Sequence, residues 1–277
     1  MNKISFLILL ICSSVFGQSA LNRLGYGDLY PTVGPFSSSI GEGGVAWQDS
    51  SRHSTQNPAV LSGLKRIHFG GSLGSQTISN SESVTNNTRF EQMNLAFPIN
   101  ERLGVSLGAQ AIADFEAYYQ SELTTGTLTE RTEGGIWDYQ LGFGYALSPT
   151  MNLGIKLHMF QGAMRRQYII NAADYSDIPE LFVLKGNMRG YGLELGALTD
   201  LGDKISLGVT ANLPLGAPEL DGIDSLAQSK DYSEFTEELG AWPTTIKLGV
   251  VYHKSKRTKV IAGIGQQLFS ESGFDDA

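Results

Sequence analysis

The feature that most limits what this chain can become is a two-residue alternation of apolar and polar side chains, repeated along its length. From Arg102 to Ala111, residues Leu103, Val105, Leu107, Ala109 and Ala111 fall on one side of an extended strand. Gly104, Ser106, Gly108 and Gln110 fall on the other. The segment from Met151 sets Leu153, Ile155, Leu157 and Met159 against Asn152, Gly154, Lys156 and His158, and residues 204–213 repeat the pattern. Six weaker copies run over 66–76, 89–98, 136–147, 190–199, 244–253 and 258–269. Each spans about ten residues, the length a tilted strand needs to cross the hydrocarbon layer of a bilayer.

Soluble sandwiches alternate in the same way, so the connections have to decide. The links after the second, fourth, sixth and eighth strands are short: Ile99-Asn100-Glu101, Ser148-Pro149-Thr150, Asp200-Leu201-Gly202-Asp203 and Lys254-Ser255-Lys256-Arg257. The links between them run from about 12 to about 30 residues, and this sorting of tight turns to one end belongs to outer-membrane barrels. The polar strand face carries Gly, Ser, Gln and Asn together with Lys156, His158 and Glu194, which places these three in a polar lumen and the aliphatic face against lipid. Phe97, Trp137, Tyr145, Tyr191, Trp242 and Tyr252 lie near strand ends, where interfacial girdles form. The fold expected is all-β: a transmembrane antiparallel up-and-down β-barrel with an N-terminal plug segment. About nine strands are visible. An odd number of crossings leaves the last strand leading outward, and the tail Ser272-Gly273-Phe274-Asp275-Asp276-Ala277 lacks an aromatic-ended final strand. A barrel incomplete at its C-terminal side is therefore the expectation.

Composition and targeting agree with export to the bacterial outer membrane. Lys3, the apolar run Phe6-Leu7-Ile8-Leu9-Leu10-Ile11 and the ending Val15-Phe16-Gly17 read as a secretory signal over 1–17, cleaved before Gln18. The run is far too short for a membrane-spanning helix. Cys12, the only cysteine, lies inside the signal. Bulky Ile11 before it speaks against lipid attachment, so the mature chain has no thiol. The 33 glycines and 17% charged residues suit barrel strands better than helices. The formal charge of −8 falls to −9 when Lys3 leaves, and an acidic chain of this kind is not built for nucleic acid.

Residues 18–65 precede the first strand and lack alternation; residues 66–277 form the barrel. The earlier segment contains Ser39-Ile40-Gly41-Glu42-Gly43-Gly44-Val45-Ala46, Asp49, and Gln56-Asn57-Pro58-Ala59-Val60-Leu61. Asn before Pro suits the start of a helical turn. This arrangement resembles the N-terminal part of the FadL-type outer-membrane transport superfamily, with a small-Gly-Gly-x-x-x-Ala stretch, an acidic residue, and Asn-Pro-Ala before the first strand. Pro98-Ile99-Asn100-Glu101-Arg102-Leu103-Gly104 is similar to its first tight turn, and Trp242-Pro243-Thr244-Thr245-Ile246-Lys247-Leu248-Gly249 to a later strand start. The resemblance implies a 14-stranded barrel, plugged by its N-terminal segment, that passes hydrophobic compounds. Gly41, Gly43, Gly44, Asp49, Asn57, Pro58 and Ala59 would belong to the plug. The chain departs from the pattern in its strand number and in Glu42, where a glycine is more usual.

No catalytic chemistry is legible, and no cofactor or metal is implied. Gly70-Gly71-Ser72-Leu73-Gly74 matches Gly-x-Ser-x-Gly but sits inside a strand, without the strand-to-helix elbow that exposes a nucleophile. His53, His68, His158 and His253 have no metal-ligand spacing. Glu219, Asp221, Asp224, Asp231, Glu234, Glu237 and Glu238 crowd the connection 215–241, which reads as a solvated outer loop, with a cation site or an ion-bridged lipopolysaccharide contact as the alternative. Arg165-Arg166 reads as solvated, with anionic head groups as its alternative. The expected function is passive passage of hydrophobic small molecules across the outer membrane; the alternative is an interaction or secretion-associated barrel of the PorV type. Expected partners are outer-membrane lipid, lipopolysaccharide and a hydrophobic ligand, with protein partners left open.

Overall fold

Nine strands follow one another across a single antiparallel sheet, and they coincide with the nine alternating segments of the sequence. The computed structural model describes residues 28–29, 37, 39–40, 43–49, 54–79, 84–123, 126–172, 180–216, 219–226, 232–238, 243–255 and 258–268. The signal segment, Gly41, Glu42, His53, Trp242 and the acidic tail lie outside them. In chain order the strands are β1 (Asp28–Leu29), β2 (His68–Ser79), β3 (Val84–Pro98), β4 (Leu103–Asp114), β5 (Ala117–Leu123), β6 (Gly126–Ala146) and β7 (Met151–Ala172). They continue as β8 (Glu180–Leu201), β9 (Ile205–Pro214), β10 (Glu219–Leu226), β11 (Tyr232–Glu238), β12 (Thr244–His253) and β13 (Lys259–Leu268). The wall runs β2-β3-β4-β6-β7-β8-β9-β12-β13. The short strands β1, β5 and β10–β11 pair at its sides, and β2 is not paired with β13 among the described residues.

The tight turns are built by local side-chain capture of backbone donors. Asn100 Oδ1 accepts from the amides of Arg102 and Leu103 at 2.8 and 2.9 Å, and Ser148 Oγ accepts from the Met151 amide at 3.0 Å. The far ends depart from the sequence expectation. β6, β7 and β8 have 21, 22 and 22 residues, about twice what a bilayer crossing requires. Once a strand leaves lipid it no longer has to alternate, and stretches such as Gln167-Tyr168-Ile169-Ile170 stay extended because pairing satisfies their backbone groups. Much of each expected long loop is therefore sheet. The acidic connection 215–241 holds the hairpin β10–β11, and β10 lies antiparallel on β8 with Glu219 opposite Arg189.

Side-chain direction settles which surface faces what. In β7, Asn152, Lys156, His158 and Phe160 are buried inside, while Leu153, Ile155, Leu157 and Met159 point outward and stay exposed. The same belt continues through Tyr145, Leu195, Val209, Leu248 and Val250. An outer wall of exposed aliphatic side chains around a polar interior is the inverse of a soluble barrel and the arrangement lipid demands. Leu157→Arg, in mid-belt, is expected to cost about 2–4 kcal/mol of folding into vesicles, read from the urea midpoint. An unchanged midpoint would mean that this face does not meet lipid.

Candidate functional site

Among the described residues before β2 are the 3-10 turns Gly44–Ala46 and Pro58–Gly63, both packed against the inward face of the wall. Asn57 joins them. Its Oδ1 accepts from the Ala59 amide at 2.9 Å and caps the second turn; its Nδ2 donates to the Val45 carbonyl at 2.7 Å and to the Ala197 carbonyl of β8 at 3.1 Å. Asn57 is fully buried, so one amide ties both turns to the barrel. Ala46, Ala59 and Val60 pack with Leu198 of β8 and Val251 of β12, and Trp47 and Ile261 close over them.

The seat for these turns is a pair of glycine rows. Gly104, Gly144, Gly154 and Gly196 are successive cross-strand partners over β4, β6, β7 and β8. Gly208, Gly249 and Gly263 form the second row over β9, β12 and β13, with Leu198 of β8 opposite Gly208. A Cβ at Gly144 would overlap backbone atoms of Pro58 and Ser62, at Gly154 those of Pro58 and Ala59, at Gly196 the Asn57 amide, and at Gly208 the Val45 carbonyl. Leaving out these side chains lets the backbone of the segment lie directly on the strands.

Beside the second turn runs a buried polar chain across four strands. Lys156 Nζ of β7 donates to the Thr55 carbonyl at 2.6 Å and to Glu194 Oε2 of β8 at 2.9 Å. His158 Nε2 lies 3.4 Å from the same carboxylate, and His158 Nδ1 meets Asp138 Oδ2 of β6 at 2.9 Å. Gln110 and Gln140 each donate an amide to Asp138, at 3.2 and 2.7 Å. Beyond it the lumen turns apolar. Phe160 stacks on the His158 ring at 5.8 Å and belongs to a cluster with Ile112, Phe115, Ile136, Met164 and Met188.

At that apolar level the wall parts. β3 pairs with β4 only from Pro98↔Gly104 to Gln92↔Gln110. Just past that last pair, Glu91 is an extra residue in β3 against β2, and Ile112 an extra residue in β4 against β6. Bulges bend strands, and here both strands bulge where they separate. β6 holds one edge of β4 at Ala113 and Asp114, so β1, paired there through Leu29 and Asp28, occupies the edge that β3 has left.

Of the residues expected in a plug, Gly43, Gly44, Asn57, Pro58 and Ala59 are buried in the two turns and their flanks, and Asp49 is half-buried after the first turn. Lys156, His158 and Glu194 come together inside the wall. Asp138, Gln110 and Gln140 were missed, although Asp138 stands at an inward position of an alternating strand. Ser72 of the Gly-x-Ser-x-Gly match lies in β2 with Glu91 Oε2 at 3.4 Å, and no helix follows it. His253 approaches Ser206 Oγ at 3.2 Å beside the β8–β9 turn, well away from the other histidines in sequence. Among the described residues no His, Cys, Asp and Glu group has the makings of a metal site.

The family model BamG matches residues 2–215. The chain belongs to the BamG family. Among solved structures, the toluene transporter TbuX of Ralstonia pickettii has the same fold: TM-score 0.51 and 12% identity, over 92% of this chain and 72% of that one. The toluene transporter TodX of P. putida aligns at TM-score 0.45 and 12% identity, over 76% and 64%. A Pseudomonas aeruginosa FadL homologue aligns at 0.40 and 11%, over 88% and 81%. A search of curated proteins returned no match. The FadL-type barrel expected from the sequence is thereby borne out at the level of fold.

Gly154→Val is expected to unseat the segment at a cost of about 1–3 kcal/mol, leaving the barrel folded but opening residues 43–64 to protease. Lys156→Met strands a buried carboxylate and is expected to cost about 3–5 kcal/mol in the urea midpoint. The pair Lys156→Met/Glu194→Leu should recover most of that loss, and a double variant as unstable as the single would remove the ion pair from the account.

Proposed function

We propose that this chain is an outer-membrane barrel that lets apolar small molecules pass passively, with residues 18–65 as its plug and residues 1–17 as a cleaved signal. The observation that carries this reading is the parted wall. The gap between β3 and β4 opens beside Ile112, which belongs to the apolar cluster inside. A compound held by Phe115, Phe160 and Met164 would need no aqueous path to reach lipid, only withdrawal of β1 from the edge of β4. The plug below, seated on glycines and latched through Lys156 and Thr55, closes the direct route along the axis. The likeness in fold to a protein described as a toluene transporter supports the cargo class. No bond is made or broken in such a passage, so the chain is read as no enzyme, and it needs no cofactor.

A second reading, an interaction barrel that carries no cargo, has one observation in its favour. The seat of the two turns is close-packed backbone on backbone, which suits a permanently shut wall. Leu29→Cys/Ala113→Cys would tie β1 into the gap, since the two are direct partners. Uptake of labelled toluene by cells is expected to fall when the bridge is oxidised and to return on reduction. Uptake equal with and without the gene would favour the interaction barrel, and co-purification of a stable large partner would strengthen it.

A further inference from the structure

Where β6, β7 and β8 run past the apolar belt, their outward faces change character. Tyr139, Met159 and Tyr191 are cross-strand partners and mark the upper rim of the belt with two exposed tyrosines. The next outward row holds Gln161 opposite Arg189. Gln161 follows Met151, the lowest belt residue of β7, by about the number of residues that a tilted strand needs to cross hydrocarbon. Arg165 and Lys185 lie two outward rows further up, past Ala163 and Asn187, roughly 10 Å above that boundary on strands rising about 3.3 Å per residue with a tilt near 40°. That is the depth of lipid head groups on the side away from the tight turns.

Arg165 and Lys185 are direct cross-strand partners, and both are exposed. Like charges placed opposite each other on one sheet face destabilise it. Of the other neighbours in that row, Ile223 carries no charge and Glu133 is already held by Arg131 at 2.5 Å. Among the described residues neither Arg165, Lys185 nor Arg189 forms an ion pair. Beneath Arg165 and Lys185 the wall is hollowed into a groove of about 690 Å³, floored by Gly134, Ala163, Gly186 and Gly222, with Glu133 beside Arg165 and Asp221 on the far side. Small residues make the hollow, and the two cations stand over it.

We propose that this groove binds a phosphate of lipopolysaccharide, with Arg165 and Lys185 bracketing the phosphate, Arg189 below them, and the acyl chains running down the aliphatic belt. An anion between the two cations removes their repulsion, and a phosphate offers oxygens to both a guanidinium and an ammonium group. The proposal rests on the outer-membrane location proposed above.

The test uses the full-length protein in detergent. Its binding of lipid A with both phosphates, and of the same lipid stripped of phosphate, is read by native mass spectrometry. Wild-type protein is expected to retain the phosphorylated lipid at least tenfold better. Arg165→Gln/Lys185→Gln should abolish that preference, while Arg165→Lys/Lys185→Arg keeps it. Retention of both lipids alike, or an undiminished preference in the Gln variant, overturns the proposal. So does full displacement by inorganic phosphate at millimolar concentration, which would make the groove a site for free anion. Fractionation of the producing cells reads the location separately: intact phosphate preference in a protein absent from the outer membrane would sink the location and leave the groove chemistry standing.

Discussion

A piece of chain without strand partners of its own lies against the inward face of the sheet, and the rest of the structure depends on how its backbone is satisfied. Buried amides and carbonyls left unpaired cost on the order of 1–3 kcal/mol each. Asn57 meets that demand at three points, two within the segment and one on β8. Its reach is possible only because Gly196 keeps the wall bare where the amide lies. The capping residue, the glycine and the carbonyl of Ala197 form one arrangement drawn from parts of the chain that are far apart in sequence.

Above this contact the interior is layered by polarity. The chain from Lys156 through Glu194 and His158 to Asp138 is almost fully buried, and charges so placed persist only when paired and hydrogen-bonded. Asp138 accepts from two amides and an imidazole, and Lys156 spends one donor on a backbone carbonyl of the inner segment. The pairing is thus as much an anchor for the segment as a lining for the lumen. The stacked ring of Phe160 begins the apolar layer, at the height where β3 leaves β4.

Much of this was legible in the residues. Strict alternation in 102–111, 151–159 and 204–213 located the wall, and the polar parity of Lys156, His158 and Glu194 put them inside. The family resemblance marked Asn57, Pro58 and Ala59. What could not be read was register. Lys156 faces Glu194, and Gly144 faces Gly154, only because of how each hairpin aligns. Single-strand periodicity carries no such information. Nor did the pattern announce the upper strands, because alternation fades where lipid ends while pairing does not. The bulges at Glu91 and Ile112 are backbone events with no distinctive residue type to betray them, and Arg165 looked like any loop arginine until its strand partner was known.

The two glycine rows have a consequence for the order in which the molecule takes shape. Neither row exists until several strands have aligned, and the hydrogen bond from Asn57 to Ala197 spans 140 residues. A stretch that precedes the wall strands in the chain therefore waits on contacts that are slow to form because they are distant in sequence. A slip of one residue in any strand of the seat would turn an outward side chain inward and block the docking. The inner segment thus fits only a wall whose strands are in step.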